Sequence, residues 1–138
     1  MGTIVELRKL KSNQNVFRLL IYSKAPPDLL SNAFSINKLL AAELVKLKPS
    51  RRTMQLENCF VKLLERFPNQ SVIKDIDIMF NPEYKVDVMK LLVSAYKRKP
   101  FSLIWPGRYS ENRLIYSEEG YPDYKSYGIE DYDILCVI

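Results

Sequence analysis

The chain has 138 residues, a formal net charge of +5 and no histidine. This length fits one domain with a core of ordinary size, and 47% hydrophobic with 27% charged residues is a globular composition. Because histidine is absent, Ser-His-Asp and Cys-His catalysis and histidine-based zinc sites are excluded. Any catalysis would therefore depend on carboxylates, lysines or tyrosines.

The apolar runs and the cysteines indicate the compartment. Runs such as Leu19 to Tyr22 are far shorter than the roughly 20 residues of a membrane span, and residues 1–9 lack the apolar core of a signal peptide. Cys59 and Cys136 stand apart in apolar surroundings, which favours buried thiols over a disulfide. We therefore expect a cytoplasmic protein with no membrane association and no metal or other cofactor.

The first half of the chain alternates predicted strands and helices. The spacing predicts a helix over 4–10, a strand over 16–23, a break at Pro26-Pro27 and a short strand over 33–36. Asn37 is predicted to cap a helix that Pro49 ends after Leu47, and a second helix runs from about 54 to 67.

The second half continues the alternation and then changes character. Predicted elements are a strand over 72–80, a helix from Asn81-Pro82-Glu83 to Tyr96, a strand over 101–105, and short strands over 114–116 and 134–138 around a loop at 117–131. This pattern predicts a three-layer α/β domain with a mostly parallel sheet flanked by helices. The segment 107–138 is expected to pack on the sheet edge, and ligands bind at the carboxyl ends of such strands.

Residues 71 to 127 contain short motifs in a definite order. Asp75-Ile-Asp77 is followed by Phe80-Asn-Pro-Glu83, Trp105-Pro-Gly107, and Leu114-Ile-Tyr116 with Gly120-Tyr-Pro122. In order and spacing these segments resemble the small P-loop protein of BREX phage-defence systems, the BrxF-like family. The resemblance implies a P-loop-NTPase-like domain. It also implies that the partners are other defence-system proteins, such as the helicase-like, methyltransferase or phosphatase-like subunits.

The chain departs from that family after its first strand. The resembled proteins carry a loop of the type G-P-P-G-S-G-K-T there, whereas this chain has Lys24-Ala-Pro-Pro-Asp-Leu-Leu-Ser31 and no glycine between Gly2 and Gly107. A phosphate loop needs glycines so that backbone N–H groups can surround the phosphates, and a lysine and a hydroxyl that open a long helix. We therefore expect a fold truncated after the first strand, without the phosphate-binding helix.

Three residues are candidates for residual nucleotide binding. Asp75 and Asp77 are expected on the same side of a strand, by the period of two, with Lys74 as charge compensation. Arg108 is a candidate anion sensor. A carboxylate pair supports magnesium-ATP chemistry only beside a phosphate cradle, so the simpler interpretation is a polar strand end.

Basic residues form two clusters in the sequence: Lys46, Lys48, Arg51 and Arg52, and then Lys97, Arg98 and Lys99. Both clusters follow predicted helices, where cations interact favourably with the helix dipole. The first interpretation is therefore capping and solubility. The alternative is DNA binding through phosphate contacts.

Tyrosines are concentrated near the end of the chain. Six of the nine lie in the last thirty residues: Tyr109, Tyr116, Tyr121, Tyr124, Tyr127 and Tyr132. Their rings either cover the sheet edge and hold the long loop, or form a protein interface, or stack on bases. The first five of these residues are the candidate interface.

Together these observations favour a non-catalytic adaptor of a prokaryotic, BREX-like phage-defence system that binds other defence proteins. Two alternatives remain open from the residues. One is a weak magnesium-dependent ATPase using Asp75 and Asp77. The other is a small DNA-binding module using the two basic clusters.

Overall fold

The computed structural model describes residues 1–10 and 18–138. Its main sheet has six strands: β1 (Thr3–Val5), β2 (Leu19–Tyr22), β3 (Phe34–Ser35), β4 (Val72–Lys74), β5 (Ser102–Ile104) and β9 (Ile134–Val137). A second sheet has three: β6 (Arg108–Ser110), β7 (Arg113–Tyr116) and β8 (Lys125–Gly128). The helices are α1 (Pro27–Asn32), α2 (Asn37–Leu44), α3 (Pro49–Leu64) and α4 (Val88–Arg98). Short 3-10 segments lie at Leu7–Lys9, Asp77–Phe80, Pro82–Tyr84 and Ile129–Asp131.

The main sheet has the order β1-β9-β2-β5-β4-β3, and all of its strand pairs are parallel. Helices separate β2, β3, β4 and β5 along the chain, and crossover connections of this kind allow these strands to run in the same direction. The predicted α/β fold with a parallel sheet flanked by helices is confirmed in this coarse form. The first two residues of the predicted strand over 16–23 lie outside the described residues.

The sheet buries its two faces unequally. Leu19 and Ile21 of β2 belong to the larger apolar cluster, together with the buried faces of α2, α3 and α4. Leu20 and Tyr22, which point the other way, belong to a small cluster with Leu135 and Val137 of β9. Continuous apolar strands such as β2 and β9 therefore reflect burial on both faces.

The start of the chain differs from the prediction. Residues 4–10 form no helix: β1 pairs in parallel with β9, and only the 3-10 segment at Leu7–Lys9 is helical. Ile4 and Val5 are β-branched and gain more from pairing with Cys136 and Val137 than from an isolated helical turn.

Two helix boundaries differ from the prediction that proline breaks or ends a regular element. Pro27 and Pro49 each stand at the start of a helix, α1 and α3, where a missing N–H costs nothing. Asn37 is the first residue of α2 and not its cap. Its side chain instead forms hydrogen bonds with Asp77 and Ile78, which follow β4. The helix predicted from Asn81 begins instead at Val88, with Asp87 as its cap.

The predicted strand over 72–80 is also wrong beyond Lys74. Asp75 has a φ of 55°, in the left-handed region, and ends β4. The chain then forms the 3-10 segment at Asp77–Phe80. Asp75 and Asp77 therefore do not share the side of a strand.

The C-terminal segment 107–138 divides between the two sheets. Strand β9 lies between β1 and β2, inside the main sheet and not at its edge. The predicted loop over 117–131 contains β8, which pairs antiparallel with β7. Within the described ranges, no helix has both the length and the apolar composition needed to cross a bilayer.

Candidate functional site

An open cleft of about 760 Å³ lies at the carboxyl ends of β1, β9, β2 and β5. This edge of a parallel sheet is where ligands of open α/β folds bind. Its lining residues come from the segments that follow these strands: Glu6, Leu7, Arg8, Ser23, Lys24, Gly107, Arg108, Tyr109 and Ile138. The cleft therefore combines three cationic side chains with one carboxylate and an apolar wall.

The connection after β2 forms no phosphate cradle. The Ser23 N–H is bonded to the Val137 carbonyl at 2.9 Å, and the two following prolines, Pro26 and Pro27, have no N–H. A helix does follow β2, contrary to the predicted deletion, but α1 has only six residues. This short helix opens without glycine, lysine or hydroxyl, so it lacks the donors of a phosphate loop.

The two candidate carboxylates bond to neighbouring protein groups. Asp75 Oδ2 accepts a hydrogen bond of 2.7 Å from the Ser35 hydroxyl. Asp77 Oδ1 accepts from the Asn37 amide at 3.3 Å, and Asp77 Oδ2 accepts from the Tyr116 hydroxyl at 3.0 Å. Lys74, expected to compensate them, instead donates to the Leu30 carbonyl. Asp75 thus links the ends of β3 and β4, and Asp77 links the segment after β4 to α2 and to the small sheet.

Arg108 lies away from the carboxylates and lines the cleft. Its Nη1 donates a hydrogen bond of 2.8 Å to the Ser117 carbonyl. Ser117 has a φ of 64°, a conformation uncommon outside glycine, and its hydroxyl donates to Asp123. The structure therefore separates the predicted nucleotide residues: Arg108 faces the cleft, and Asp75 and Asp77 do not line it.

Several residues of the two basic clusters have structural partners. Arg52 Nε donates to the Leu44 and Leu47 carbonyls at 2.9 and 3.2 Å, which caps the end of α2. Arg98 bonds Glu57 and Asn58 on α3. Lys46 is 3.5 Å from Glu43, and Lys99 bonds Asn69.

The remaining cations of these clusters are free. Lys48, Arg51 and Lys97 are exposed, and their side chains have no hydrogen bond or ion pair with any described residue. Arg51 lies in the first turn of α3, where the helix dipole disfavours a cation, so capping does not explain it.

The tyrosines divide into inward-facing and exposed groups. Tyr127 is 7% exposed and its hydroxyl accepts from the Val88 N–H, so its ring is buried within the protein. Tyr116 stacks on Phe80 with ring centroids 3.9 Å apart. Tyr121 is 61% exposed, and Tyr109 and Tyr124 are half-buried. Of the five candidate interface residues, Tyr127 is therefore buried and Tyr121 is the most exposed, and Tyr116 is half-buried like Tyr109 and Tyr124.

Burial raises the pKa values of three acid groups in this part of the protein. Burial, followed by the hydrogen bond to Asp77, raises the pKa of the Tyr116 hydroxyl above its ordinary value. Burial raises the pKa of Tyr127 to about 12 and that of the Cys136 thiol to about 12. These groups stay protonated at neutral pH and act as hydrogen-bonding or apolar groups, not as bases.

Sequence reasoning did not identify Arg8 and Lys24 as site residues. Arg8 was missed because residues 4–10 were predicted to form a helix, whereas β1 pairs with β9 and places the following residues at the cleft. Lys24 directly follows β2, so the rule that ligands meet the carboxyl ends of parallel strands was the signal that could have found it.

Comparisons of the chain with protein-family models, with curated proteins and with solved structures find no match.

Proposed function

We propose that the chain is a non-catalytic accessory subunit of a prokaryotic, BREX-like phage-defence system. It would be a degenerate P-loop-like domain that acts by binding other defence proteins. The observation that carries this proposal is the connection from β2 to α1, in which two prolines and an already bonded Ser23 N–H replace a phosphate cradle.

The strand order supports the P-loop-like part of the proposal. In a Rossmann sheet the first two strands of the crossover series lie side by side. Here β2 and β3 are separated by β5 and β4, and β2 lies between β9 and β5. One strand, β5, therefore lies between β2, which precedes the degenerate loop, and β4, which ends in the acidic residues. The order therefore differs from that of a Rossmann sheet, and the proposed P-loop-like domain does not require the Rossmann order.

The hydrogen bonds of the carboxylates argue against the ATPase alternative. A magnesium ion bound to ATP needs protein oxygens on one side and phosphate oxygens held by a cradle on the other. Asp75 and Asp77 accept hydrogen bonds from Ser35, Asn37 and Tyr116. Binding a metal there would break contacts that hold the small sheet onto the main one.

The proposed contact surface is the exposed part of the tyrosine-rich region. Tyr121 projects from the loop between β7 and β8 at 61% exposure, beside Glu118, Glu119 and Asp123. A rigid aromatic ring surrounded by charged groups is the composition of an interface anchor. The partner surface would offer an apolar pocket with a basic rim.

Co-purification tests this role. A tagged chain expressed with the proteins encoded beside it is expected to retain one of them, and Tyr121→Ala is expected to lose it. Met54→Ala is the matched control, because Met54 is a large apolar residue 79% exposed on the outer face of α3. Equal retention by both variants, or no retained partner, would contradict the proposal.

DNA binding is a second candidate because Lys48, Arg51 and Lys97 are exposed and have no side-chain partner in the part of the chain that the structure describes. This function predicts retention on duplex DNA that falls steeply with salt and weakens in Arg51→Ala. Retention that is insensitive to salt or to that variant would exclude this use of the basic clusters.

A further inference from the structure

We propose that the cleft at the carboxyl ends of β1, β9, β2 and β5 binds a small organic phosphate without a divalent cation. This inference goes beyond the adaptor role and does not depend on it, because the cleft lies apart from Tyr121 and from the Asp75 and Asp77 carboxylates.

The charge of the cleft favours an anion. Arg8, Lys24 and Arg108 line it, against the single side-chain carboxylate of Glu6, so the lining side chains carry a net charge of 3 − 1 = +2. Glu6 is 2.8 Å from Arg8 and 4.0 Å from Lys9, so its charge is already compensated. A phosphate monoester, with about −1.5 to −2 charges and three acceptor oxygens, matches this excess better than a carboxylate does.

Two of the cations are available to a ligand. Lys24 is exposed, and its ammonium group makes no ion pair or hydrogen bond with the residues that the structure describes. Arg108 uses Nη1 for the Ser117 carbonyl, which fixes the guanidinium and leaves its other N–H groups for an oxyanion. A charged group that is held in place in advance loses less entropy on binding.

The rest of the lining favours an organic body on the ligand. Leu7, Ile138 and the half-buried ring of Tyr109 contribute apolar surface beside the cations. A volume of about 760 Å³ is in the range of small-molecule sites, which is far more than one inorganic ion fills. The cleft therefore suits a phosphate group attached to an apolar or aromatic part.

Gly107, which lines the cleft, packs closely against the small sheet. A Cβ at this position would lie 1.9 Å from the Ile115 carbonyl oxygen, so a side chain would push β7 away. The same carbonyl accepts a hydrogen bond of 3.0 Å from Trp105 Nε1. Arg108 and Tyr109 thus follow a backbone position held against β7.

Calorimetric titration of the full chain with phenyl phosphate, in EDTA, tests the proposal. Saturable binding is expected, weakened about tenfold in Lys24→Gln by loss of a charge-assisted hydrogen bond. Lys62→Gln, an exposed lysine on α3, is the charge-matched control and should bind as the parent does. Arg108→Gln should also weaken binding. Lys24→Gln is the cleaner variant because the Lys24 side chain has no partner among residues 1–10 and 18–138.

Competing ligands separate the parts of the claim. Inorganic phosphate and benzoate should each bind more weakly than phenyl phosphate. Equal binding of inorganic phosphate would overturn the organic part, and equal binding of benzoate would overturn the phosphate part. No saturable binding at millimolar concentration, a need for magnesium, or unchanged affinity in Lys24→Gln would overturn the site, whatever partner Tyr121 contacts.

Discussion

The Tyr116 hydroxyl donates a hydrogen bond of 3.0 Å to Oδ2 of Asp77. This contact joins the small antiparallel sheet to the 3-10 segment that follows β4. The Tyr116 ring also stacks on Phe80, so the hydroxyl and the ring hold the same junction. An acidic residue resembling a magnesium ligand thereby serves as a structural acceptor.

Removing that hydroxyl should destabilise the fold without disturbing the stack. Tyr116→Phe is expected to lower the free energy of unfolding by about 1 kcal/mol, the usual net value of such a bond. Tyr124→Phe is the control, since the Tyr124 hydroxyl has no hydrogen-bond partner among the described residues. Urea denaturation measures both, and equal effects would show that the Asp77 contact contributes nothing.

The buried Cys136 thiol makes stability depend on alkaline pH. Burial raises its pKa from 9.0 to about 12, so between these values the unfolded state has lost a proton that the folded state keeps. Stability present below pH 9 is therefore lost as pH rises to 12, with a slope approaching 1.4 kcal/mol per pH unit from this group.

The variant Cys136→Ala isolates this dependence. It should unfold more easily at neutral pH because of the cavity, but its stability should fall less between pH 9 and 12. All other ionisable groups are common to both proteins, so their contributions cancel when the two stability curves are subtracted. If the free energy of unfolding fell equally in the parent protein and in Cys136→Ala over that pH range, the assignment of this dependence to Cys136 would be contradicted.

Glycine at position 107 is expected to be a requirement of close packing. A Cβ there would meet the Ile115 carbonyl at 1.9 Å, so Gly107→Ala should destabilise by about 3 kcal/mol. At Gly120 a Cβ would meet nothing, and only its φ of 93° disfavours a side chain, so Gly120→Ala should cost about 1 kcal/mol. Chemical denaturation of the two variants should show this order, and the reverse order would refute the close contact.

Substitutions of Arg51 and Arg52 should lower the free energy of unfolding by different amounts, because Arg52 bonds backbone carbonyls whereas Arg51 is exposed. Arg52→Ala removes the cap on the Leu44 and Leu47 carbonyls and should cost about 1 to 2 kcal/mol. The exposed Arg51 side chain has no partner within the described ranges, so Arg51→Ala should change stability by less than about 0.5 kcal/mol. Thermal denaturation of both variants checks this, and a similar loss in both would mean that Arg51 has a structural role.

The strongest sequence patterns predicted the sheet well. The apolar runs now seen as β2 and β9 are short and continuous, as expected of parallel strands that are buried on both faces. The edge strand β1 was missed because three residues at Thr3–Val5 carry little pattern, and their partner lies at the other end of the chain. Pairing over such separation is invisible to local periodicity.

Local backbone chemistry explains the other errors. The alternation from Val72 to Phe80 is typical of a strand, but Asp75 enters the left-handed region and the chain turns into a 3-10 segment. In the site, Arg108 was predicted from its place after a strand. The sequence contained no signal that Arg8 would face the same cleft, because that depends on β1 lying beside β9.

Thermal denaturation with ATP, in the presence of magnesium and in the presence of EDTA, tests the central claim most directly. Without a phosphate cradle, the protein should show no rise in melting temperature that requires magnesium, even at millimolar nucleotide. A small rise of equal size in EDTA would reflect the Lys24 cleft and not a nucleotidase site. A rise of several degrees that needs magnesium and disappears in Asp77→Ala would contradict the account and identify a working magnesium-nucleotide site.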